Sequence, residues 1–153
     1  MNSYLSDIYA KEEYAEDLYP QKLCNFLYQN FLVSRGVEKG VLLDIGSGKG
    51  NQLVGFGRNN FECFGIDKRE ECVDILDSFD IRECDLESEE LPFDSNYFDV
   101  IFTKSVIEHV FNTEHFLKEA NRVLKPGGVL IVLTPDWKSQ FRSFYDDYTH
   151  IKP

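Results

Sequence analysis

A short apolar run that breaks into alternating glycines constrains the fold more than any other stretch. It reads Val41-Leu42-Leu43-Asp44-Ile45 and continues Gly46-Ser47-Gly48-Lys49-Gly50. Such a run is too short for a buried helix and suits a strand covered on both faces. Similar runs follow at 61–66 (FECFGI), 98–103 (FDVIFT) and 129–133 (VLIVL), with a shorter strand near Ile81. Helical patterns lie between them: a weak one through Leu53, Val54 and Phe56, one over 70–76, and a strong one after Asn112. In the last, Asn112 or Thr113 serves as cap and Glu114 stands in the first turn. Phe116, Leu117, Ala120, Val123 and Leu124 share a face, and Lys125-Pro126-Gly127-Gly128 ends the helix. Strands alternating with helices predict a doubly wound, mostly parallel α/β sheet.

Residues 1–40 read as a helical segment packed on a domain spanning 41–153. Tyr4, Leu5, Ile8 and Tyr9 form a short apolar face, and Pro20 punctuates the segment. A helix over 21–33 then places Leu23, Cys24, Leu27, Phe31 and Leu32 along one side, with Gly36 as its stop. Tyr9, Tyr14 and Tyr19 serve either helix packing or a lid over a ligand.

Charge bears on partners. Twenty-seven Asp and Glu against sixteen scattered Lys and Arg give a net charge of −11, with no basic stripe to neutralise phosphates. Nucleic acid and anionic membranes are therefore disfavoured partners. Nothing approaches the ~20 apolar residues of a membrane span, and the acidic N-terminus does not read as a signal peptide, so a cytoplasmic location is expected. Cys24, Cys63, Cys72 and Cys84 fall at no zinc-ligand or CxxC spacing and are expected as reduced, mostly buried thiols.

In doubly wound sheets, ligands bind outside the carboxyl ends of the strands. The loop after the first strand fails as a P-loop, because Lys49 precedes Gly50 instead of Ser or Thr. It also fails as a dinucleotide loop, because GxGxxG from Gly46 would need glycine where Asn51 stands. Asp67 closes the second strand 23 residues after Asp44. A carboxylate at about that distance from a glycine loop can accept hydrogen bonds from ribose hydroxyls. The lesser alternative is a cap for a helix starting at Lys68.

The stretch LLDIGSGKG resembles motif I of the class I S-adenosylmethionine-dependent methyltransferases, of the type 11 domain kind. In order along the chain, FGID, CDLESEELPFDSNYFDVI, TKSVIEHV and VLKPGGVLIVLTPD are similar to later parts of the same family, so the resemblance runs from about Val41 to Asp136. It implies a Rossmann-like fold and S-adenosylmethionine as cofactor, with S-adenosylhomocysteine as product. It implies a glycine loop formed by Asp44, Gly46, Ser47, Gly48 and Gly50, with Asp67 and the neighbouring Lys68 at the ribose. Asp85 is implied at the adenine amino group, Leu86 supplies a backbone amide and an apolar contact there, and Lys104 and Ser105 lie beside the methionine end. Asp99 is expected to be structural, facing the glycine loop or a helix. Carboxylates at three strand ends suit a cationic, ribosyl ligand and would repel a polyphosphate.

Methyl transfer from a sulfonium is an in-line displacement that chiefly needs alignment and exclusion of water. An oxygen acceptor also needs a proton acceptor. His109, just after the fourth strand, and His150 are the candidate catalytic residues, each with a structural alternative; His115 is expected to be packed or solvated. A Glu108–His109 metal pair has no evident third ligand, so no metal is expected. FYDDYTHIKP is similar to a stretch in methyltransferases of sugar and surface-polysaccharide pathways, which implies a small-molecule or sugar-type acceptor. There Tyr145, Asp146, Asp147 and His150 either bind a polar substrate or cap a loop. The family continues past strand five with strands six and seven, which this chain lacks. That predicts either a truncated chain or an apolar strand-five edge covered by a partner such as a second copy. The competing expectation to an active enzyme is a cofactor-binding interaction module working through that edge; a nicotinamide oxidoreductase is disfavoured by Asn51.

Overall fold

The computed structural model describes residues 18–68, 79–147 and 149–151. Its first element is a helix, α1 (Leu18–Leu27), which runs on through a π-helical turn (Tyr28–Leu32) and a 3-10 turn (Val33–Arg35). Gly36 ends it with φ of 76°, the left-handed conformation that glycine adopts without a Cβ clash. Pro20 lies inside the described span of α1, so the helix does not begin at Gln21. The wider π turn brings Leu32 onto the buried stripe and leaves Phe31 exposed, contrary to a regular helical spacing. The expectations for residues 1–17 and for the helix over 70–76 lie outside the described residues.

Five parallel strands follow: β1 (Gly40–Ile45), β2 (Phe61–Asp67), β3 (Asp80–Glu83), β4 (Phe98–Lys104) and β5 (Leu124–Leu133). Their spatial order is β3-β2-β1-β4-β5, a Rossmann-like sheet. Two crossover helices are described, α2 (Asn51–Gly57) between β1 and β2 and α3 (Thr113–Val123) between β4 and β5. The chain moves one way across the sheet from β1 to β2 and the other way from β4 to β5. Crossovers of one hand therefore place α2 and α3 on opposite faces.

The two faces carry separate cores. Under α1 and α2, Leu42, Val100 and Phe102 pack with Cys24, Leu27, Leu53 and Phe56. Under α3, Leu43, Ile45, Ile66 and Ile101 pack with Phe116, Ala120 and Val123. The buried face of α3 differs from the pure apolar pattern: Leu117 is exposed and Leu124 already belongs to β5, while Glu119 is buried. Glu119 accepts from Leu91 N at 2.9 Å and pairs with Arg122, whose guanidinium also holds the carbonyls of Leu91 and Phe93. A carboxylate so satisfied can replace an apolar side chain at the core edge.

The Lys125–Gly128 stretch is a bulge inside β5. Leu124 pairs with Phe98 and Val129 with Val100, so β5 spends the extra residues outside the ladder. Asp99 secures this end of the sheet. It accepts from Val41 N at 2.8 Å and from Lys125 Nζ at 2.8 Å, so it is structural but faces the start of β1, not the glycine loop. Cys24, Cys63 and Cys84 are free and buried; burial raises the first two thiols to about 12 and Cys84 to about 11. Cys72 lies outside the described residues. Among those residues no helix is long and apolar enough to cross a membrane.

Phe102 has no exposed surface and meets the Phe56 ring edge-on at 5.1 Å. Phe102→Ala is expected to cost about 3–5 kcal/mol of unfolding free energy, read from urea denaturation, because the cavity is walled by both β4 and α2.

Candidate functional site

The strand order reverses between β1 and β4, so the loops leaving them diverge and open a crevice at the carboxyl end of the sheet. The loop after β1 is held flat against β2. Ile66 O accepts from both Gly46 N (2.8 Å) and Ser47 N (3.0 Å), and Asp67 Oδ2 accepts from Gly48 N (2.9 Å). Gly46 has φ of 77°, and a Cβ there would meet Val106 Cγ2 at 2.3 Å, so only glycine lets the two loops approach. Gly48 (φ 51°) and Gly50 (φ 73°, at the N-cap of α2) complete the turn, closed by Gly50 N donating to Ser47 O at 2.8 Å. Ser47 is buried beneath it with its hydroxyl toward Ile66 O.

A cleft of about 240 Å3 opens beside this loop. Of the residues singled out in the sequence, Gly46, Asp67, Lys68, Asp85, Leu86, Ser105 and His109 line it. Asp44, Ser47, Gly48, Gly50, Lys104 and His150 are not in its wall. Asp85 has structural work of its own. Its carboxylate accepts from Glu87 N and Ser88 Oγ, and it faces Lys68 Nζ at 3.4 Å. The Glu87 amide and, after it, Lys68 hold its pKa below the usual carboxylate value despite the opposing effect of burial. Ser105 sits at φ of 56°, a left-handed conformation unusual for a non-glycine residue, with its N–H on Leu133 O. Backbone held this way by its surroundings is typical of functional loops.

Glu87 was missed in the sequence. Its two carboxylate oxygens accept from Phe111 N (2.7 Å) and Asn112 N (2.9 Å), tying the loop after β3 to the start of α3 across the cleft mouth. Nothing local marks it, since its partners lie about two dozen residues away. His115 donates its N–H to the Asn112 cap, and its ring meets Glu89 O, a packed role.

Three buried side-chain oxygens lack a hydrogen-bond partner among the described residues: Asp44 Oδ2, Thr103 Oγ1 and Glu108 Oε1. All belong to the carboxyl ends of β1 and β4 or the turn after β4. Orphaned buried oxygens are rare in folded proteins, and an ordered water, an ion or a ligand could each supply the missing partners. Burial, and next the neighbouring Asp67, raise the Asp44 carboxyl to about 8, with Lys104 opposing. A cation or donor brought to this end would stabilise its ionised form.

Residues 43–132 match the family described as "Methyltransferase domain". The uncharacterized methyltransferase YcgJ of Bacillus subtilis is 30% identical over 99 residues, covering 60% of this chain and 39% of that protein. The mitochondrial ubiquinone biosynthesis O-methyltransferase of Rattus norvegicus is 36% identical over 104 residues, covering 61% of this chain and 30% of that one. This chain thus spans well under half the length of either relative. Among solved structures, a SAM-dependent methyltransferase from Archaeoglobus fulgidus superposes with a TM-score of 0.76 at 20% identity, over 99% of this chain and 68% of that one.

Asp44 gives the site a pH signature. Unfolded, it ionises near 3.8; folded, it keeps its proton to about 8. The native state binds more protons in that window, so Asp44's contribution to stability is full below pH 4 and is lost as pH rises to 8. In Asp44→Asn, urea denaturation across pH 4–8 is expected to lack this decline relative to wild type.

Proposed function

The chain belongs to the methyltransferase-domain family, and from that premise we propose that it binds S-adenosylmethionine in the cleft and methylates a small-molecule or sugar-type acceptor. The observation that carries the reading is the glycine loop clamped onto β2, opening on a cleft with Asp67 and Asp85 in its wall. The chain's donors and acceptors fit such a cofactor. Asp67, held in the cleft wall by its bond to Gly48 N, offers a carboxylate at the position where ribose hydroxyls would donate. Asp85 and the apolar Leu86 would flank the base, and Lys68 would stay paired with Asp85.

Bound there, the cofactor supplies a methyl group on a positively charged sulfur with a thioether as leaving group. The protein's own work is alignment and exclusion of water. Val106 and Val110 give the far wall an apolar lining, and the Glu87 bonds hold that wall in place. A hydroxyl acceptor must lose a proton as the new bond forms. His109 lines the cleft and its ring lies 4.8 Å from that of His150, so these imidazoles are the proton acceptors we assign. An oxygen-directed reaction would parallel the ubiquinone O-methyltransferase named above.

One observation favours a second reading, a cofactor-binding module that works through its sheet edge. Among the described strands β5 pairs on one side only, and Val129–Leu133 are half-buried. A second copy of the chain laid on this edge would cover it. A concentration-dependent mass, with cofactor binding and no turnover on any hydroxylated acceptor, would favour the module.

The deciding experiment for the first reading is calorimetric titration of S-adenosylhomocysteine, with NADH as control. Saturable binding is expected for wild type, and Asp67→Ala is expected to weaken it about 10- to 100-fold, the value of a hydrogen bond to a charged group. A folded wild-type protein that binds neither would overturn the proposal.

A further inference from the structure

Behind His109, the turn after β4 meets a distant part of the chain. Ile151 N donates to Glu108 O at 3.0 Å, and His109 Nδ1 lies 3.1 Å from Thr149 O. These contacts bring His150 onto His109, with ring centroids 4.8 Å apart. One carboxylate oxygen of Glu108 and one ring nitrogen from each histidine all lie within 4.8 Å of one another. The third ligand that the Glu108–His109 pair lacked in the sequence is therefore present in space.

We propose that Glu108, His109 and His150 form a binding site for one divalent first-row transition-metal ion, such as Zn2+ or Mn2+, at the wall of the cleft. The donor set fits. Two imidazoles and a carboxylate are the ligands these ions take, with a further position left for water or substrate.

Three independent features point the same way. Glu108 is 2% exposed, and although its Oε2 accepts from Thr134 Oγ1 at 3.1 Å, its Oε1 has no partner. A buried carboxylate oxygen left bare costs about 1–3 kcal/mol, which a cation would remove. Next, both Nδ1 atoms face backbone carbonyls, His109 on Thr149 and His150 on Phe144. A carbonyl can only accept, so each Nδ1 carries a proton, which leaves Nε2 as the ligand atom of the neutral ring. Metal-binding histidines are oriented by this kind of contact. Finally, Asp147 Oδ2 lies 3.9 Å from His150 Nε2, a second carboxylate beside the triad though not one of its three grouped ligands. Asp147 is itself fixed by Thr149, through its N–H at 2.9 Å and its hydroxyl at 2.5 Å, so its position is set by the fold.

The distances are those of an open site. Ligands about 2.1 Å from a tetrahedral ion stand about 3.4 Å apart, so closing from 4.8 Å takes small side-chain rotations. The competing occupant is a proton on His150, shared with Asp147, which would use the cluster as a buried ion pair. The inference rests on the triad's geometry and stands apart from the methyl-transfer reading. If both hold, the open position lies next to the cleft through His109. It would then take a hydroxyl-bearing acceptor and lower that hydroxyl's pKa, a task that bare imidazoles would otherwise perform.

The test is metal binding in the absence of any cofactor. Chelator-treated, dialysed protein is titrated with Co2+, followed by its d–d absorption, and with Zn2+ by calorimetry. One equivalent is expected to bind, with an affinity weakened more than about 10-fold in both His150→Gln and Glu108→Gln. Should Glu108→Gln fail to fold by circular dichroism, His150→Gln alone decides. The proposal is overturned if folded wild type shows no saturable binding, or if His150→Gln binds with unchanged affinity, which is also the result expected of a proton-bridged His150–Asp147 pair. Because S-adenosylhomocysteine is titrated separately, loss of one reading leaves the other measurable.

Discussion

The clamp between the glycine loop and β2 is the contact on which the site depends. One carbonyl, that of Ile66, takes two successive N–H groups, and the carboxylate at the next position takes a third. Successive amides can converge in this way only if the backbone enters the left-handed region, which Gly46 and Gly48 do. The consequence reaches in two directions. Outward, the flattened loop leaves room for Val106 to pack on Gly46, which brings the loops after β1 and β4 to opposite sides of one cleft. Inward, it buries Ser47 and seals Asp44 beneath, and burial keeps the Asp44 carboxyl protonated into the neutral range.

That burial has a physical logic. A carboxyl with an orphaned oxygen lowers the stability of the ligand-free fold, and a ligand that supplies a donor restores the lost free energy. Thr103 and Glu108 repeat the arrangement on the neighbouring strand and turn. Elsewhere among the described residues buried polar groups are satisfied, as Glu119 and Arg122 are between three backbone groups. Among the described residues the unsatisfied oxygens lie at the carboxyl ends of β1 and β4 and in the turn after β4.

The sheet was legible because strand signals are local. Val41–Ile45, Phe61–Ile66 and Phe98–Thr103 are apolar runs covered on both faces, and their ends shift by no more than one residue. The glycine loop was legible for the same reason, since left-handed turns announce themselves in glycine. Helix faces were less so: Leu117 fits the apolar stripe of α3 yet faces solvent, while Glu119 is buried because Leu91 N and Arg122 satisfy it. No period in the sequence encodes that exchange. Glu87 and His150 were unreadable or half-readable because their meaning lies in partners about 24 and 41 residues away. The bulge at Lys125–Gly128 looked like a simple helix stop; its pairing on both sides becomes visible only in the ladder.

The cleft therefore divides by how its walls are encoded. One wall comes from residues directly following β1, β2 and β3, each fixed by bonds within a strand or a turn. The other is the turn over 105–110, backed from outside the cleft by the returning segment at 149–151, with Ile151 N on Glu108 O and His109 on Thr149. Local encoding resists change, because altering Gly46 or Asp67 disturbs the loop itself. The second wall can be revised by altering the returning segment while the clamp stays intact, as loops on a rigid scaffold commonly are. Glu87 joins the two, reaching from the loop after β3 to the start of α3, so movement of one wall is felt by the other. A fold arranged in this way can keep one cofactor and change its acceptor, and the residues that would set the acceptor are those that pack around His109.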